Sequence, residues 1–462
     1  MLSSRHPAGW LAALAGLYWL TGVGGTGWGV LLVVLPGSLL LAGGLAILLL
    51  PGDLRTPQLA AVGGAAGILL GFPAMVLLDW GNGALATLLS AAGFVAAGWV
   101  ALAREPAVDD VPELRPSVRL AAKAAIDEAL LASMVMVPVS RSDPALAVAE
   151  VSRADELFSR LGWIEDPASF HDTPPVLESV EIDRMNRLGL SYEHLRFESG
   201  FDPKGEVPGR ERWLGYAANH TAHAWLRRHS DAERPWVVCI HGFGMGSAAI
   251  DLQAFATSWL HDTLGLNVAL PVLPVHGPRA PGRRSGAVFM LPSILNAVHA
   301  EAQAIWDVRR LISWLRSEGA TRIGVYGLSL GGYTTALLAG LEPDLACAVA
   351  GVPPSDLTHT QDRFGTVLER AEEQRQGIDW EATRRVLSVV SPLSLSPLLT
   401  RERRYVFGGI GDRIVPPGQV RDLWLHWERP RIAWLAGGHV SAVYERETKE
   451  FLEEAFRKHL LV

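Results

Sequence analysis

Cysteine is nearly absent: 462 residues hold two, Cys239 and Cys347, each inside an apolar run that reads as a buried strand. That excludes a disulfide-stapled scaffold and leaves no Cys/His ligand spacing, so both read as core thiols of a reducing compartment and no metal is expected. No dinucleotide fingerprint occurs, and no cofactor is implied. Blocks of Lys and Arg are missing too, and with a formal net charge of −7 a nucleic-acid partner is excluded. With 49% hydrophobic and 19% charged residues, neither a disordered nor a fibrous chain is compatible with the composition.

Charge of either sign is also lacking from His6 to Gly52. Within and beyond that stretch, Trp28–Leu50, Leu59–Leu78 and Ala84–Ala103 each approach the roughly 20 apolar residues that cross a bilayer. Ala8 to Thr21 is shorter and reads either as a fourth span or as a signal-peptide core. A transmembrane helical region of three to four spans is therefore expected over residues 1–103. Gly63, Gly67 and Gly71 lie four apart on one helix face and would let a neighbouring helix come close. Arg5, Arg55 and Arg104 fall on one side of a four-helix arrangement, whereas the loops around Gly24 and Asn82 carry no Lys or Arg. The positive-inside rule then puts everything after Ala103 in the cytoplasm, where the sequon at Asn219 has no meaning.

Residues 104–191 read as a helical connector. Ser117–Val137 places Leu120, Ala124, Ile126, Leu130 and Met134 at helical spacing, suiting a helix packed on the domain that follows or one lying on the bilayer. Asp143–Leu161 is a second helix, and no chemistry is expected in the region. From residue 192 to 462 short apolar runs alternate with helices, the signature of a mostly parallel sheet covered on both faces. The runs are His194–Glu198, Ala222–Arg227, Trp236–Ile240, Asn267–Val272, Arg322–Tyr326, Leu345–Val352, Arg404–Gly408 and Arg431–Leu435.

One run ends in Gly327, Leu328, Ser329, Leu330, Gly331, with a helix after it. Gly-x-Ser-x-Gly alone is weak in a chain with 47 Gly, but strand, serine and helix in that order form the strained turn a nucleophile needs. With His241 and Gly242 after Trp236–Ile240, Asp412 after Arg404–Gly408 and His439 after Arg431–Leu435, residues 192–462 resemble the α/β-hydrolase superfamily. The resemblance implies Ser329 as nucleophile, His439 as base and Asp412 as the acid that orients it. It also implies an oxyanion hole from the backbone amides of Phe243 and Leu330. Asp356, after Leu345–Val352, is an alternative acid. His241, His276 and Arg279 are candidate substrate contacts, with a structural role as the alternative for the Pro-flanked loop that carries the last two. Caps of this family sit where residues 356–396 are inserted, here with helices around Thr366–Gln376 and Trp380–Val390.

A serine nucleophile argues against the dehalogenase and epoxide-hydrolase branches, whose nucleophile is Asp. The expected fold class is thus α/β, an α/β-hydrolase fold preceded by transmembrane helices. The expected function is a membrane-anchored serine hydrolase for a carboxylic ester, with a small-molecule or lipid ester as substrate. A peptidase or amidase using the same triad, and a membrane scaffold with a silent hydrolase fold, remain alternatives. The sequence does not fix the oligomeric state.

Overall fold

The computed structural model describes residues 6–24, 27, 29–136, 144–187, 189–230, 233–359 and 375–461. Its centre is a nine-stranded sheet in the order β1-β2-β3-β5-β4-β6-β7-β8-β9. The strands are β1 Glu181–Arg187, β2 Leu190–Glu198, β3 Thr221–Arg227, β4 Trp236–Ile240, β5 Asn267–Pro271, β6 Ile323–Leu328, β7 Cys347–Gly351, β8 Arg404–Gly409 and β9 Arg431–Leu435. β1, β2 and β3 join β5 through antiparallel ladders, and all pairings from β5 to β9 are parallel. The sheet therefore begins at Glu181, inside what the sequence suggested was connector. The cause is legible: β1 is an edge strand with largely exposed polar residues and carries no apolar run.

Every position of β4 to β8 is buried, as a parallel sheet covered on both faces requires. Alternation sorts their side chains into two cores. Val238, Ile240, Val325 and Ala348 pack with one cluster, which includes Val308 and Leu311. Val237, Cys239, Tyr326 and Val349 pack with the other, which includes Phe451 and Phe456. Burial pushes the Cys347 thiol up to about 12, which suits an inert core position.

The first four helices among the described residues are α1 Gly9–Gly22, α2 Gly29–Leu49, α3 Thr56–Leu77 and α4 Trp80–Ala103. Three of them, α2, α3 and α4, are long and apolar enough to cross a membrane. The 14 residues of α1 rise only about 21 Å, short of a hydrocarbon core of about 30 Å. The glycine stripe serves two neighbours: a Cβ on Gly63 would come within 2.6 Å of Leu40 N on α2. One on Gly67 or Gly71 would come within 2.2 Å of Ser90 Oγ or 1.9 Å of Thr87 Oγ1 on α4. Arg104 donates to Thr56 Oγ1 and to the Asp53 carbonyl, so it shares one end of the bundle with Arg55; Arg5 lies outside the described residues.

α5 Val118–Met136 follows, then α6 Pro144–Arg160. The buried face of α5 comprises Leu120, Ala121, Ala124, Ala125, Asp127, Glu128 and Leu131, whereas Ile126 is exposed. Two carboxylates thus occupy the apolar stripe, contrary to the face the sequence suggested. α5 packs at once on α3, on α4 and on the short helix His439–Ala442 of the sheet domain.

Within the sheet domain run α7 Arg210–Leu214, α8 Ala248–Ala254, α9 Leu295–Ser317, α10 Leu330–Leu338, α11 Trp380–Ser388, α12 Pro417–His426, α13 His439–Ala442 and α14 Arg446–His459. Of the expected cap, α11 is present and packs on α6, with Arg385 donating to Asp155 at 2.8 and 2.7 Å. The helix around Thr366–Gln376 falls largely outside the described residues. Asn219 of the sequon is buried, its Oδ1 accepting from Val275 N.

Candidate active site

The loops that follow the carboxyl ends of β4, β6, β8 and β9 carry Phe243, Ser329, Asp412 and His439. Ser329 stands between β6 and α10 with φ 55° and ψ −119°, a conformation a non-glycine residue holds only when its surroundings impose it. Its amide is fixed to the Gly351 carbonyl at 2.9 Å. The glycines around it have a steric cause. A Cβ on Gly327 would stand 1.9 Å from the Gly331 carbonyl oxygen, and one on Gly331 would stand 1.9 Å from that of Ile240. The pattern Gly-x-Ser-x-Gly is thus what lets α10, β6 and β4 meet closely enough to hold the turn.

The Leu330 amide opens α10, and neither it nor the Phe243 amide has an acceptor among the described residues. Gly242 brings Phe243 beside the nucleophile, since a Cβ there would lie 3.3 Å from Ser329 Cβ. Two unspent amides next to the serine, one at a helix start, can stabilise an oxyanion.

Asp412 is fully buried, and its Oδ1 accepts from Ile414 N and Val415 N at 2.9 and 2.8 Å. Its Oδ2 stands 2.7 Å from His439 Nδ1. A carboxylate only accepts, so the proton sits on Nδ1 and Nε2 keeps its lone pair for a base. Burial pulls the His439 pKa down, but the Asp412 charge and hydrogen bond, with a lesser push from Asp127, outweigh it and leave it above the usual imidazole value. Among the described residues these bonds leave the Ser329 hydroxyl unengaged, and such contacts commonly tighten only with substrate. Asp356, the alternative acid, is turned into its own loop, where Oδ1 takes the Thr358 amide and hydroxyl; His439 meets Asp412 instead.

The three candidate substrate contacts are buried, and the structure uses them as supports. His241 is 1% exposed, with Nδ1 donating to the Gly242 carbonyl and Nε2 accepting from Leu273 N at 3.0 Å. It ties the Phe243 loop to the end of β5. His276, kept neutral by burial that drives its pKa to about 3, packs edge-on against Phe243 at 5.6 Å. Arg279 is fully buried and donates to Asp307, to the Val272 carbonyl and to that of Asn219. None of the three presents appreciable surface in this structure, and each is bonded as a support for the loops that flank the serine.

Sequence reasoning missed two further groups. Asp251 of α8 accepts from Gly246 N and Trp225 Nε1 and so anchors the far end of the Phe243 loop. Asp127 of α5 accepts the amides of Arg413 and His439 at 3.1 and 2.6 Å. The available signal was an acid on an otherwise apolar helix stripe.

A cavity of about 620 Å³ lies between α6, the Met290–Ile294 segment and α11, with Val148, Val151, Met290, Ile294 and Leu357 in its wall. Met290 of its wall follows Phe289, whose ring centroid lies 6.3 Å from that of Phe243. A larger cavity of about 860 Å³, among Arg227, Arg228 and His261, opens at the opposite ends of β4 and β5, away from the serine.

The prolyl oligopeptidase family pattern matches residues 300–423, and that described as alpha/beta hydrolase domain containing 18 matches residues 217–357. Uncharacterized protein Rv2627c of Mycobacterium tuberculosis strain H37Rv is 40% identical over 382 residues, covering 82% of this chain and 91% of its own. Uncharacterized protein MT2702 of strain CDC 1551 matches to the same extent. Among solved structures, an acetyl xylan esterase from Paenibacillus sp. R4 aligns with 69% of this chain and 96% of its own at 16% identity and a TM-score of 0.45. The Pyrococcus horikoshii acylaminoacyl peptidase aligns with 62% and 42% at 15% identity and a TM-score of 0.40.

Proposed function

The chain belongs to the α/β-hydrolase superfamily, and from that premise we propose that it is a membrane-anchored serine hydrolase cleaving a carboxylic ester through an acyl-enzyme. The observation that carries this reading is the buried Asp412–His439 pair at 2.7 Å, together with a serine held at φ 55° beside two amides that have no acceptor among the described residues. Ser329 Oγ attacks the ester carbonyl as His439 Nε2 takes its proton. The Phe243 and Leu330 amides receive the oxyanion, each worth about 3 kcal/mol. The imidazolium, stabilised by Asp412, then protonates the leaving alkoxide. Water repeats the sequence on the acyl-enzyme, with His439 again as base, and frees the acid.

Two observations support an apolar substrate met at the bilayer. The apolar wall of the cavity behind Met290 suits an acyl chain. Gly411 lies so close to the end of α4 that a Cβ there would come within 3.2 Å of Leu102 Cδ2, so the acid loop rests on the last turn of a candidate span. Arg55 and Arg104 at that end favour the cytoplasmic side for the site. A peptidase reading is favoured by one finding, the prolyl oligopeptidase pattern that spans Ser329 and Asp412.

The deciding experiment labels the detergent-solubilised full chain with a fluorophosphonate and assays p-nitrophenyl esters of increasing acyl length beside matched anilides. Labelling at Ser329, lost in Ser329→Ala, with esters turned over faster than anilides, is expected. A wild-type protein that neither labels nor hydrolyses would overturn the enzyme reading in favour of the silent scaffold. Faster anilide cleavage would favour the peptidase. Protection of a carboxyl-terminal tag from protease added outside intact cells is expected, and its digestion there would reverse the orientation.

A further inference from the structure

The search beyond the triad leads to α5, which belongs to neither the candidate spans nor the sheet. Asp127 is wholly buried, and its partners are backbone amides of two separate loops. Oδ2 accepts from Arg413 N at 3.1 Å and from His439 N at 2.6 Å, and Oδ1 from Val440 N at 3.3 Å. The first belongs to the residue after Asp412, the other two to the base and its successor. One carboxylate therefore bridges the acid loop and the base loop, from outside both. The fit is tight, since a Cβ on Gly438 would stand 2.5 Å from Asp127 Oδ2. The bridge is reinforced next door. Arg413, itself buried, donates from Nε to Glu128 at 2.8 Å and from Nη1 to Glu105, just past the end of α4. Lys123, one turn before Asp127, pairs with Glu445 and with the Ala436 carbonyl, fastening the same face of α5 to the loop around His439.

We propose that Asp127 is a positioning residue for the triad, holding the Asp412 and His439 loops in register from the helix that links the candidate membrane spans to the hydrolase domain. The inference rests on the triad reading above. It adds that the catalytic geometry is completed by the amino-terminal region and is not a property of the sheet domain alone. A backbone amide displaced by about 1 Å at His439 would misalign Nε2 against the serine, an error that lowers turnover far more than binding. Two kinds of group face Asp127: Lys123 and Glu128 on its own helix, and Asp412, Arg413, His439 and, behind Lys123, Glu445 on the elements packed against it. Burial and the nearby Asp412 charge raise the Asp127 pKa to about 7; where it is ionised its charge adds to that of Asp412 in favouring imidazolium, so its removal should ease deprotonation of His439 there.

The test uses the full-length protein in detergent with a short p-nitrophenyl ester and fluorophosphonate labelling of Ser329. Asp127→Ala, which deletes the bridge, is expected to lower kcat about 10- to 100-fold while KM stays within about twofold. Asp127→Asn keeps an oxygen for the Oδ2 position and removes the charge. It should retain more turnover than the alanine variant and move the acid limb of kcat/KM down. A purely structural brace would leave that limb in place. If the alanine variant fails to fold, the asparagine pH profile decides. Wild-type kcat and an unshifted limb in Asp127→Asn, with Ser329 labelling normally, would overturn the proposal. Absence of labelling in the wild type would instead strike the triad reading beneath it.

Discussion

Replacing Gly331 by alanine tests whether the elbow is held by backbone contact. The added methyl would be placed 1.9 Å from the Ile240 carbonyl oxygen and 2.6 Å from that of His241. Carbon–oxygen contacts settle at about 3.3 Å or more, so α10 and the end of β4 must part by about 1.4 Å. Both sides of that gap matter to the reaction. α10 carries the Leu330 amide, and His241 precedes the loop that carries Phe243. Overpacking of this kind costs about 1–3 kcal/mol of stability, and moving one oxyanion donor out of reach costs about 10²- to 10³-fold in kcat. The expected result for Gly331→Ala is a fall in kcat of at least about 100-fold with a thermal inactivation midpoint a few degrees lower. Gly324→Ala is the internal control, because its Cβ, at the other end of β6 from the serine, would meet side-chain atoms, Cys347 Sγ at 3.0 Å and Leu460 Cδ1 at 3.1 Å. Ester hydrolysis and a melt in the same detergent read both effects. A Gly331→Ala protein with wild-type kcat and midpoint would show that the close approach of α10 to β4 does not hold the site.

Asp412→Asn should keep the fold and lower kcat by several orders of magnitude through the wrong imidazole tautomer, whereas Asp356→Asn should leave it nearly unchanged; the reverse ranking, read by steady-state ester hydrolysis, would reassign the acid. The acid limb of wild-type kcat/KM should lie above the ordinary imidazole value of 6.5, since the net effect of the surroundings on His439 is upward, and a limb below it in a pH–rate profile would contradict that balance. Glu301, buried against the Thr334 hydroxyl of α10, has its pKa raised to about 8 by burial. A group raised in the folded state stabilises fully below its unfolded value, near 4.5, and loses that contribution as pH rises through about 8. The inactivation midpoint of the wild type should therefore fall from pH 5 to pH 8.5 more steeply than that of Glu301→Gln, and parallel curves would refute the assignment.

Much of this architecture is legible in the residues, and the departures have identifiable causes. Trp236–Ile240 and Arg431–Leu435 coincide with β4 and β9 because continuous apolar runs ended by Gly or Pro leave little choice of state. α10 begins at Leu330, directly after the serine, although Gly331 and Gly332 look like breakers in sequence; both are required in space. Ser329, Asp412 and His439 could be picked out because each follows a strand end. His276 and Arg279 also follow one, but nothing local reveals that Pro274 and Asn219 carbonyls absorb their donors. Asp127 was hidden for a different reason. Its partners are amides some 290 to 310 positions further on, and no periodicity reports contacts at that separation.

The outer edge of β1 bears on how such molecules behave side by side. A sheet with one strand unpaired exposes a row of amides and carbonyls that a neighbouring sheet could join. Copies anchored as proposed would meet repeatedly in two dimensions and present this edge to an identical one. β1 answers with Glu181, Asp183, Arg184, Asn186 and Arg187 along seven residues, with Arg196 of β2 bridging Glu181 and Asp183. Burying those charges against a second copy would carry a desolvation penalty that backbone pairing does not recover. The most polar strand of the fold, the one least visible as a strand, thus carries the charges that disfavour edge-to-edge pairing.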